Sequence, residues 1–184
     1  MKGSASAAQS MYFFTNPNCS VCANAENNVI KAFEMGNYNL NFKVFYFFPE
    51  WDREARLFAE ASMCAFLQDK DKYWQFHSKL INFEEKVKEQ NLYEFAAETD
   101  LDPAEFKACV LQRKTKEVVN YHLKYSDYLG INSQPSLVVG GKIYPGVVPV
   151  EKMVQVLSNL SVPQKEEKMG VLARVIHFFK SLFS

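Results

Sequence analysis

The sequence lacks several features that mark particular classes of protein. Its 21 Lys and Arg balance its 21 Asp and Glu, so the formal charge is zero and no net field attracts nucleic acid or an acidic surface. No run reaches the roughly 18 consecutive apolar residues that would span a bilayer. Nucleic acid is therefore not an expected partner. The 184 residues, 48% of them hydrophobic, are enough to bury one core.

The opening residues also lack a secretion signal. Residues 1–10, MKGSASAAQS, are small and polar and contain no apolar stretch of the roughly 7 to 15 residues that such a signal requires. A mature secreted domain and a cytosolic protein would both begin in this way, so the compartment stays open here. We expect residues 1–9 to lie outside the fold, either disordered or a remnant of expression.

Aromatic residues are abundant, with 16 Phe and 9 Tyr, and many fall in short clusters typical of buried strands. SMYFFTN at 10–16 predicts a strand, and residues 19–33 follow with a helical pattern. NFKVFYFF at 41–48 predicts a second strand that is buried on both faces. Together they predict one βαβ unit with a right-handed crossover.

The next stretch, residues 51–130, has no strand signal and predicts helices only. One of these helices begins at Asp102 and Pro103, which suit a helix cap and a first turn. Gly130 is placed to end the last one. We therefore predict an all-helical insertion over about residues 51–130.

After the insertion, the sequence again predicts strands. SLVV at 136–139 and KIY at 142–144 predict a hairpin around a glycine pair, and residues 149–160 predict a final helix. The order predicts an α/β protein of thioredoxin fold, with an inserted all-helical domain between the βαβ and ββα halves. Residues 10–160 form this predicted domain.

The C-terminal residues carry a different pattern. Residues 161–169 predict a polar linker, and residues 170–184 arrange apolar and basic side chains as an amphipathic helix does. So short a helix cannot keep its apolar face dry alone, so it must dock. Its own domain, self-association with a second copy of the chain, and a membrane surface all stay open.

Cys19 and Cys22 are separated by two residues at the predicted junction of strand and helix. Cys19 then lies at the helix N-terminus, where free backbone N–H groups and the helix dipole stabilise a thiolate. Cys19 is the expected nucleophile, and Cys22, one turn further on, is the expected resolving thiol. Ser20 and Val21 tune this pair, because a hydroxyl can hydrogen-bond a thiolate and Val offers neither charge nor donor.

Two alternatives to a redox pair stay open on these residues, a structural cysteine pair and half of a zinc site. Zinc usually requires a second ligand pair at similar spacing, which Cys64 and Cys109 do not supply. We predict no metal site and no cofactor. His77 and His122 fall in helical patterns and are expected to be packing residues, each with one hydrogen bond.

Gln134 and Pro135 stand at the entrance to the SLVV strand. A trans proline would have to lie at a strand edge here, and a cis peptide bond is the other possibility. In a thioredoxin-like sheet this loop lies beside the two cysteines. The backbone of Gln134 is then placed to pair with an extended substrate, and Pro135 to block metal capture by the thiols.

Four segments resemble successive landmarks of the DsbA-like family of thiol-disulfide oxidoreductases: FFTNPNCSVC, YWQFHSKL, LDPAEFKACV and GINSQPSLVVGGKIYPG. The resemblance covers about residues 10–160. It implies a helical cap and an active site made of the CxxC pair and the cis-proline loop. Members of the family often have Pro and then an aromatic residue or His between the cysteines. Ser20 and Val21 depart from this, which bears on oxidising strength more than on the type of reaction.

The resemblance further implies an enzyme that introduces disulfides during protein folding in the periplasm or another extracytoplasmic compartment. Its partners would be unfolded or folding cysteine-containing proteins and a membrane reoxidase of DsbB or VKOR type. A subset of the family also implies a structural disulfide between Cys64 and Cys109, which would require an oxidising compartment. Two buried free thiols are the alternative. A disulfide reductase or isomerase of the same fold, and a non-catalytic adaptor that binds client proteins, stay open as other functions.

Overall fold

A computed structural model describes residues 2–3, 9–36 and 38–160. The predicted linker 161–169 and the predicted helix 170–184 lie outside the described residues. The elements in chain order are β1 (Lys2–Gly3), β2 (Gln9–Thr15), α1 (Ser20–Glu34), β3 (Leu40–Tyr46), α2 (Arg53–Gln68), α3 (Lys70–Ile81), α4 (Glu89–Glu98), α5 (Pro103–Leu111), α6 (Lys116–Leu129), β4 (Ser136–Val139), β5 (Lys142–Pro145) and α7 (Val150–Leu160).

The strands form one sheet in the order β1-β3-β2-β4-β5. β2 and β3 are parallel, and Thr15 lies opposite Tyr46 where both strands end. β4 runs antiparallel to β2, with Ser136 opposite Phe14. The segments that follow β2 and β3 and the segment that precedes β4 therefore meet at one edge, which we call the carboxyl edge of the sheet.

The two halves of the fold are arranged as predicted. The first half is β2-α1-β3, and the second is β4-β5-α7, in which Gly140 (φ 57°) and Gly141 (φ 73°) make the hairpin turn. Both glycines have positive φ, which the favoured two-residue hairpin turn requires. The five helices α2 to α6 lie between the halves. The predicted α/β fold class is confirmed.

The amino-terminal residues differ from the prediction. Lys2–Gly3 forms β1, which pairs antiparallel with β3, and Gln9 already belongs to β2. The prediction placed residues 1–9 outside the fold because these residues are small and polar. An edge strand needs only backbone N–H and C=O groups for its pairing, so a small polar sequence can add to a sheet without such a pattern.

Both faces of the sheet are covered by helices. One face packs against α1 and α7 around Met11, Phe13, Phe42, Leu137, Met153 and Leu157. The other packs against α6 around Phe14, Phe45, Tyr125 and Val138. Consecutive residues of β2 thus point into different cores, which explains why its central residues 11–14, MYFF, are apolar or aromatic without interruption.

The insertion has a core of its own, which includes Phe58, Phe76, Leu80, Leu92 and Phe106. A disulfide between Cys64 on α2 and Cys109 on α5 crosses this core, with 5.9 Å between the two Cα atoms. Trp74 of α3 packs elsewhere, because its ring stacks on Phe42 of the sheet at 5.6 Å. Helix α3 therefore joins the insertion to the sheet.

A buried carboxylate makes a second link between α2 and the segment after α5. Glu60, 3% exposed, accepts hydrogen bonds from Nε (2.9 Å) and Nη2 (2.7 Å) of Arg113. Its backbone oxygen accepts a hydrogen bond from Thr115 Oγ1 at 2.8 Å. Glu60 lies one helical turn before Cys64. The ion pair and the disulfide therefore link the same part of α2 to α5 and to the residues that directly follow α5.

Removing the Cys64–Cys109 crosslink should lower stability. The two cysteines are 45 residues apart, and closing a loop of that length restricts the unfolded chain by about 4 kcal/mol at most. We expect the double variant Cys64→Ala, Cys109→Ala to lose most of this from its free energy of unfolding, measured by urea denaturation. A loss below about 1 kcal/mol would contradict this account of the bond.

Candidate active site

The turn between β2 and α1 places Cys19 at the start of a helix. Asn16 Oδ1 accepts the backbone N–H of Asn18 at 2.8 Å, which closes the turn. Cys19 is extended (φ −134°), and its Sγ accepts the backbone N–H of Cys22 at 3.2 Å. Cys19 is thus the N-cap of α1, and its sulfur takes the place that a Ser or Asp oxygen takes in other helices.

The two cysteines are joined by a disulfide but differ in exposure. Their Cα atoms are 5.2 Å apart. Cys19 is half-buried, Cys22 is fully buried, and Ser20 and Val21 between them are exposed. The first turn of α1 contains no acidic residue. No carboxylate of this turn repels a thiolate or offsets the positive end of the helix dipole, so the turn favours negative charge on the sulfur of Cys19.

The loop before β4 reaches the carboxyl edge of the sheet beside this turn. The Gln134–Pro135 peptide bond is cis, and Pro135 is buried. Pro135 O accepts the backbone N–H of Gly146 at 2.7 Å, while the next residue, Ser136, pairs with Phe14 of β2. The side chain of Gln134 is half-buried, and its Oε1 has no hydrogen-bond partner among the described residues.

The structure places the other cysteine pair apart from this edge, inside the insertion. Cys64 and Cys109 are 1% and 5% exposed. In the described part of the chain, no three His, Cys, Asp or Glu side chains cluster as metal ligands would. Of the helices described, none is both long and apolar enough to cross a membrane.

A known family model matches this chain, in which a βαβ unit places a CxxC pair at a helix N-terminus beside a cis-proline loop. The model described as Thioredoxin aligns with residues 1–159. The chain belongs to the thioredoxin family. A comparison with curated protein sequences gives no match.

Solved structures of other thioredoxin-fold proteins superpose on most of this thioredoxin-family chain. The thiol-disulfide exchange protein alpha-DsbA2 from Wolbachia pipientis gives a TM-score of 0.77 at 16% identity, covering 86% of this chain and 85% of that one. Chlamydia trachomatis DsbA gives 0.72 at 17%, covering 89% and 92%. Oxidised BdbD from Bacillus subtilis gives 0.72 at 19%, covering 85% and 89%. The fold of the chain is therefore that of the DsbA structures.

One group of site residues was missed by the sequence analysis of this thioredoxin-family protein. Glu26 lies four residues after Cys22 on α1, so both point to the same side of the helix. Glu26 is 0% exposed, and its Oε1 lies 2.9 Å from Nε2 of His77, which is 1% exposed. The Tyr46 hydroxyl lies 3.3 Å from His77 Nδ1 and 3.3 Å from the Tyr73 hydroxyl. The sequence signal that could have revealed this group was Glu26, a charged residue within the apolar face of α1.

Tyr46 also contacts the second buried histidine. Its backbone N–H donates to Nδ1 of His122 at 3.4 Å. Burial lowers the pKa of His122 from 6.5 to about 4, because the interior disfavours the charged ring. Burial likewise raises the pKa of the Tyr46 and Tyr73 hydroxyls above 10. The sequence analysis expected packing histidines with one hydrogen bond each, but His77 has polar neighbours at both ring nitrogens.

The buried pair of His77 and Glu26 should be more important to stability than an exposed ion pair between the same helix, α3, and α4. Replacing His77 by Ala leaves the buried Glu26 carboxyl group without its partner, which costs about 3 to 5 kcal/mol. As a control, Lys79→Ala removes the exposed Lys79–Glu98 bridge of 2.7 Å, worth about 0.2 to 1 kcal/mol. Urea denaturation compares the two variants. Equal losses would show that burial adds nothing to the pair.

The free energy of unfolding should decrease as the pH is lowered from 6.5 to 4, because of His122. The folded protein keeps this ring neutral while the unfolded chain takes up a proton below 6.5, so the unfolded state binds more protons. With the pKa of His122 lowered to about 4, the loss amounts to about 3 kcal/mol over this range.

The test is the free energy of unfolding at several pH values for the wild type and for His122→Gln. A glutamine oxygen can accept the Tyr46 N–H but does not titrate. We expect a shallower dependence on pH in the variant. Identical curves for the two proteins would contradict the assignment to His122.

Proposed function

We propose that this protein is a thiol-disulfide oxidoreductase that transfers its Cys19–Cys22 disulfide to pairs of cysteines in client proteins. The single observation that carries the proposal is the position of Cys19. Its sulfur is the N-cap of α1, accepts the Cys22 N–H at 3.2 Å and is partly exposed, whereas Cys22 is fully buried. Only Cys19 is open to attack by an incoming thiolate.

The reaction proceeds through two exchanges. A client thiolate attacks Cys19 Sγ, a bond forms between them, and the Cys19–Cys22 bond breaks with the electron pair on Cys22, which takes up a proton. A second client thiolate then attacks the client sulfur of this mixed disulfide. The client disulfide forms, and Cys19 leaves as a thiolate that the N-terminus of α1 stabilises. Two electrons pass from the client to the protein.

A stabilised Cys19 thiolate favours the reduced form, so the disulfide is an oxidant. We propose that it forms disulfides in folding proteins and that a membrane reoxidase of DsbB or VKOR type restores it. We expect its reduction potential, measured against glutathione, to lie above about −180 mV, the region of isomerases. A potential well below that value would favour the reductase or isomerase alternative.

An extracytoplasmic compartment, such as the periplasm, is part of the proposal. All four cysteines of the chain are paired, 19 with 22 and 64 with 109. Disulfides of a structural kind persist in oxidising compartments and are rare in the cytosol. Cys64 and Cys109 are structural in this proposal. Gln134 and Pro135 form the wall beside Cys19 against which the backbone of an extended client pairs.

The decisive variants are at the two active-site cysteines. Cys19→Ser should reduce the oxidation of a reduced client protein to the uncatalysed rate, because the Cys19–Cys22 disulfide that the client thiolate attacks cannot form. Cys22→Ser also lacks the disulfide, but its Cys19 thiolate should attack the disulfide of an oxidised client, release the other client sulfur as a thiolate, and accumulate as a mixed disulfide, since the resolving thiol is missing. The measurements are the rate of oxidative refolding of a reduced client enzyme and the mass of the trapped adduct.

The matched control is the double variant Cys64→Ala, Cys109→Ala, assayed at a temperature where circular dichroism shows it folded. It should keep the activity of the wild type. Full activity in Cys19→Ser would contradict the proposal and favour the adaptor function, which uses the fold and not the thiols.

A further inference from the structure

Few charged residues lie in the segments around Cys19. Residues 15–25, which include the CxxC pair, carry no charged side chain, and neither do residues 131–135 before β4 or residues 146–149 after β5. The first carboxylate of α1 is Glu26, which is buried against His77. Formal charge beside the active-site turn therefore comes from other elements.

The segment that follows β3 supplies carboxylates to this region. Its first residue, Phe47, donates its backbone N–H to Thr15 O at 2.8 Å, so the segment starts beside the end of β2. It carries Glu50, Asp52 and Glu54. The side chain of Asp52 caps α2. Of these three carboxylates, only Glu54 makes a hydrogen bond to the active-site turn.

Glu54 connects the residue before Cys19 to a lysine of the insertion. Asn18 Nδ2 donates to Glu54 Oε2 at 3.3 Å. The other carboxylate oxygen, Oε1, lies 3.0 Å from Nζ of Lys86. A carboxylate in this position disfavours a thiolate at Cys19, because like charges repel, and the ammonium group of Lys86 offsets that repulsion.

Lys86 belongs to the loop of residues 82–88 between α3 and α4, and other residues hold this loop in place. At its start, Asn27 Nδ2 of α1 donates to Asn82 Oδ1 at 2.7 Å. Val87 is buried in the core of the insertion, and Phe83 packs against that core. The loop therefore presents Lys86 to Glu54 without depending on the Lys86 side chain for its own anchoring.

The segment after β3 and the 82–88 loop carry further charged side chains, which are exposed and take no part in these contacts. Within the described ranges, none of the following forms an ion pair: Glu50, Arg53, Glu84, Glu85 and Lys88. Their charges act on Cys19 equally in the wild type and in any variant of Glu54 or Lys86. A difference between such proteins therefore reports on the Glu54–Lys86 pair.

We propose that Lys86 acts through Glu54 as a positioning residue that sets the reactivity of Cys19, because its ammonium group offsets the carboxylate bonded to the active-site turn. The inference rests on the proposed function, in which Cys19 leaves as a thiolate. Without Lys86, the charge of Glu54 is left uncompensated beside that thiolate. The reduced form is then less stable, and the disulfide is a weaker oxidant.

The test compares the wild type with Lys86→Met, with Glu54→Gln and with the variant that has both changes. The rate at which an alkylating reagent modifies Cys19 of the reduced protein, followed by mass spectrometry, has a pH midpoint that reports the ionisation of its thiol. Equilibration with glutathione gives the balance between disulfide and dithiol. A glutamine at position 54 keeps an oxygen that can accept the Asn18 N–H. The matched control is Lys79→Met, since Lys79 is a lysine of the insertion that pairs with Glu98.

We expect Lys86→Met to raise the midpoint and to shift the equilibrium about two- to threefold toward the protein disulfide at low salt. The factor is small because Lys86 and Glu54 are 71% and 49% exposed, so water screens their charges. Glu54→Gln should lower the midpoint and shift the equilibrium by a similar factor in the opposite direction, and the double variant should lie close to the wild type. Lys79→Met should change neither quantity. In about 1 M salt, where the screening length is about 3 Å, the differences should disappear.

An unchanged midpoint in Lys86→Met would overturn the inference. Shifts in the same direction for Lys86→Met and Glu54→Gln would overturn it as well, because the loss of a contact and not of a charge would then explain both. Differences that persist in high salt would have the same meaning. The oxidation of a reduced client protein tests the proposed function separately. If the wild type oxidises the client and Lys86→Met keeps its midpoint, only the inference fails; if the wild type oxidises no client, the proposed function itself fails.

Discussion

The parallel pairing of β2 with β3 is the constraint on which the candidate site depends. Because Thr15 lies opposite Tyr46, both strands end together, and the segments that follow them lie side by side. β4 starts at the same edge, opposite Phe14. The CxxC turn, the segment that follows β3 and the cis-proline loop come from three distant parts of the chain, and this register brings them together. A shift of one residue would also exchange the two faces of β2.

The N-terminus of α1 accounts for the difference in exposure between Cys19 and Cys22. An N-cap residue stands outside the first helical turn, so Cys19 is partly exposed, whereas Cys22 lies three positions further on and is buried. The backbone N–H groups that need an acceptor at this terminus meet the sulfur of Cys19. The free backbone N–H groups at the start of α1, which Cys19 caps in the fold, are therefore the same groups that stabilise its thiolate in the proposed reaction.

The helical insertion contacts the helix that carries the two active-site cysteines. His77 of α3 reaches Glu26 of α1, and the Tyr46 hydroxyl at the end of β3 lies between His77 and Tyr73. Buried polar groups are stable only when they are partnered, so this contact couples the packing of the insertion to the helix that carries both cysteines. The disulfide of Cys64 holds the insertion itself together.

The sequence was enough to predict the order of the elements, the CxxC pair at a strand-to-helix junction and the proline before β4, because these follow from local apolar periods and turn residues. It did not predict the edge strand at Lys2–Gly3, which pairs antiparallel with β3. The meeting of Glu26 with His77, 51 residues away, and of Asn18, the residue before Cys19, with Glu54 of α2 is a property of the tertiary structure. Contacts of this kind depend on how helices cross the sheet, and a linear pattern of side chains does not encode that geometry.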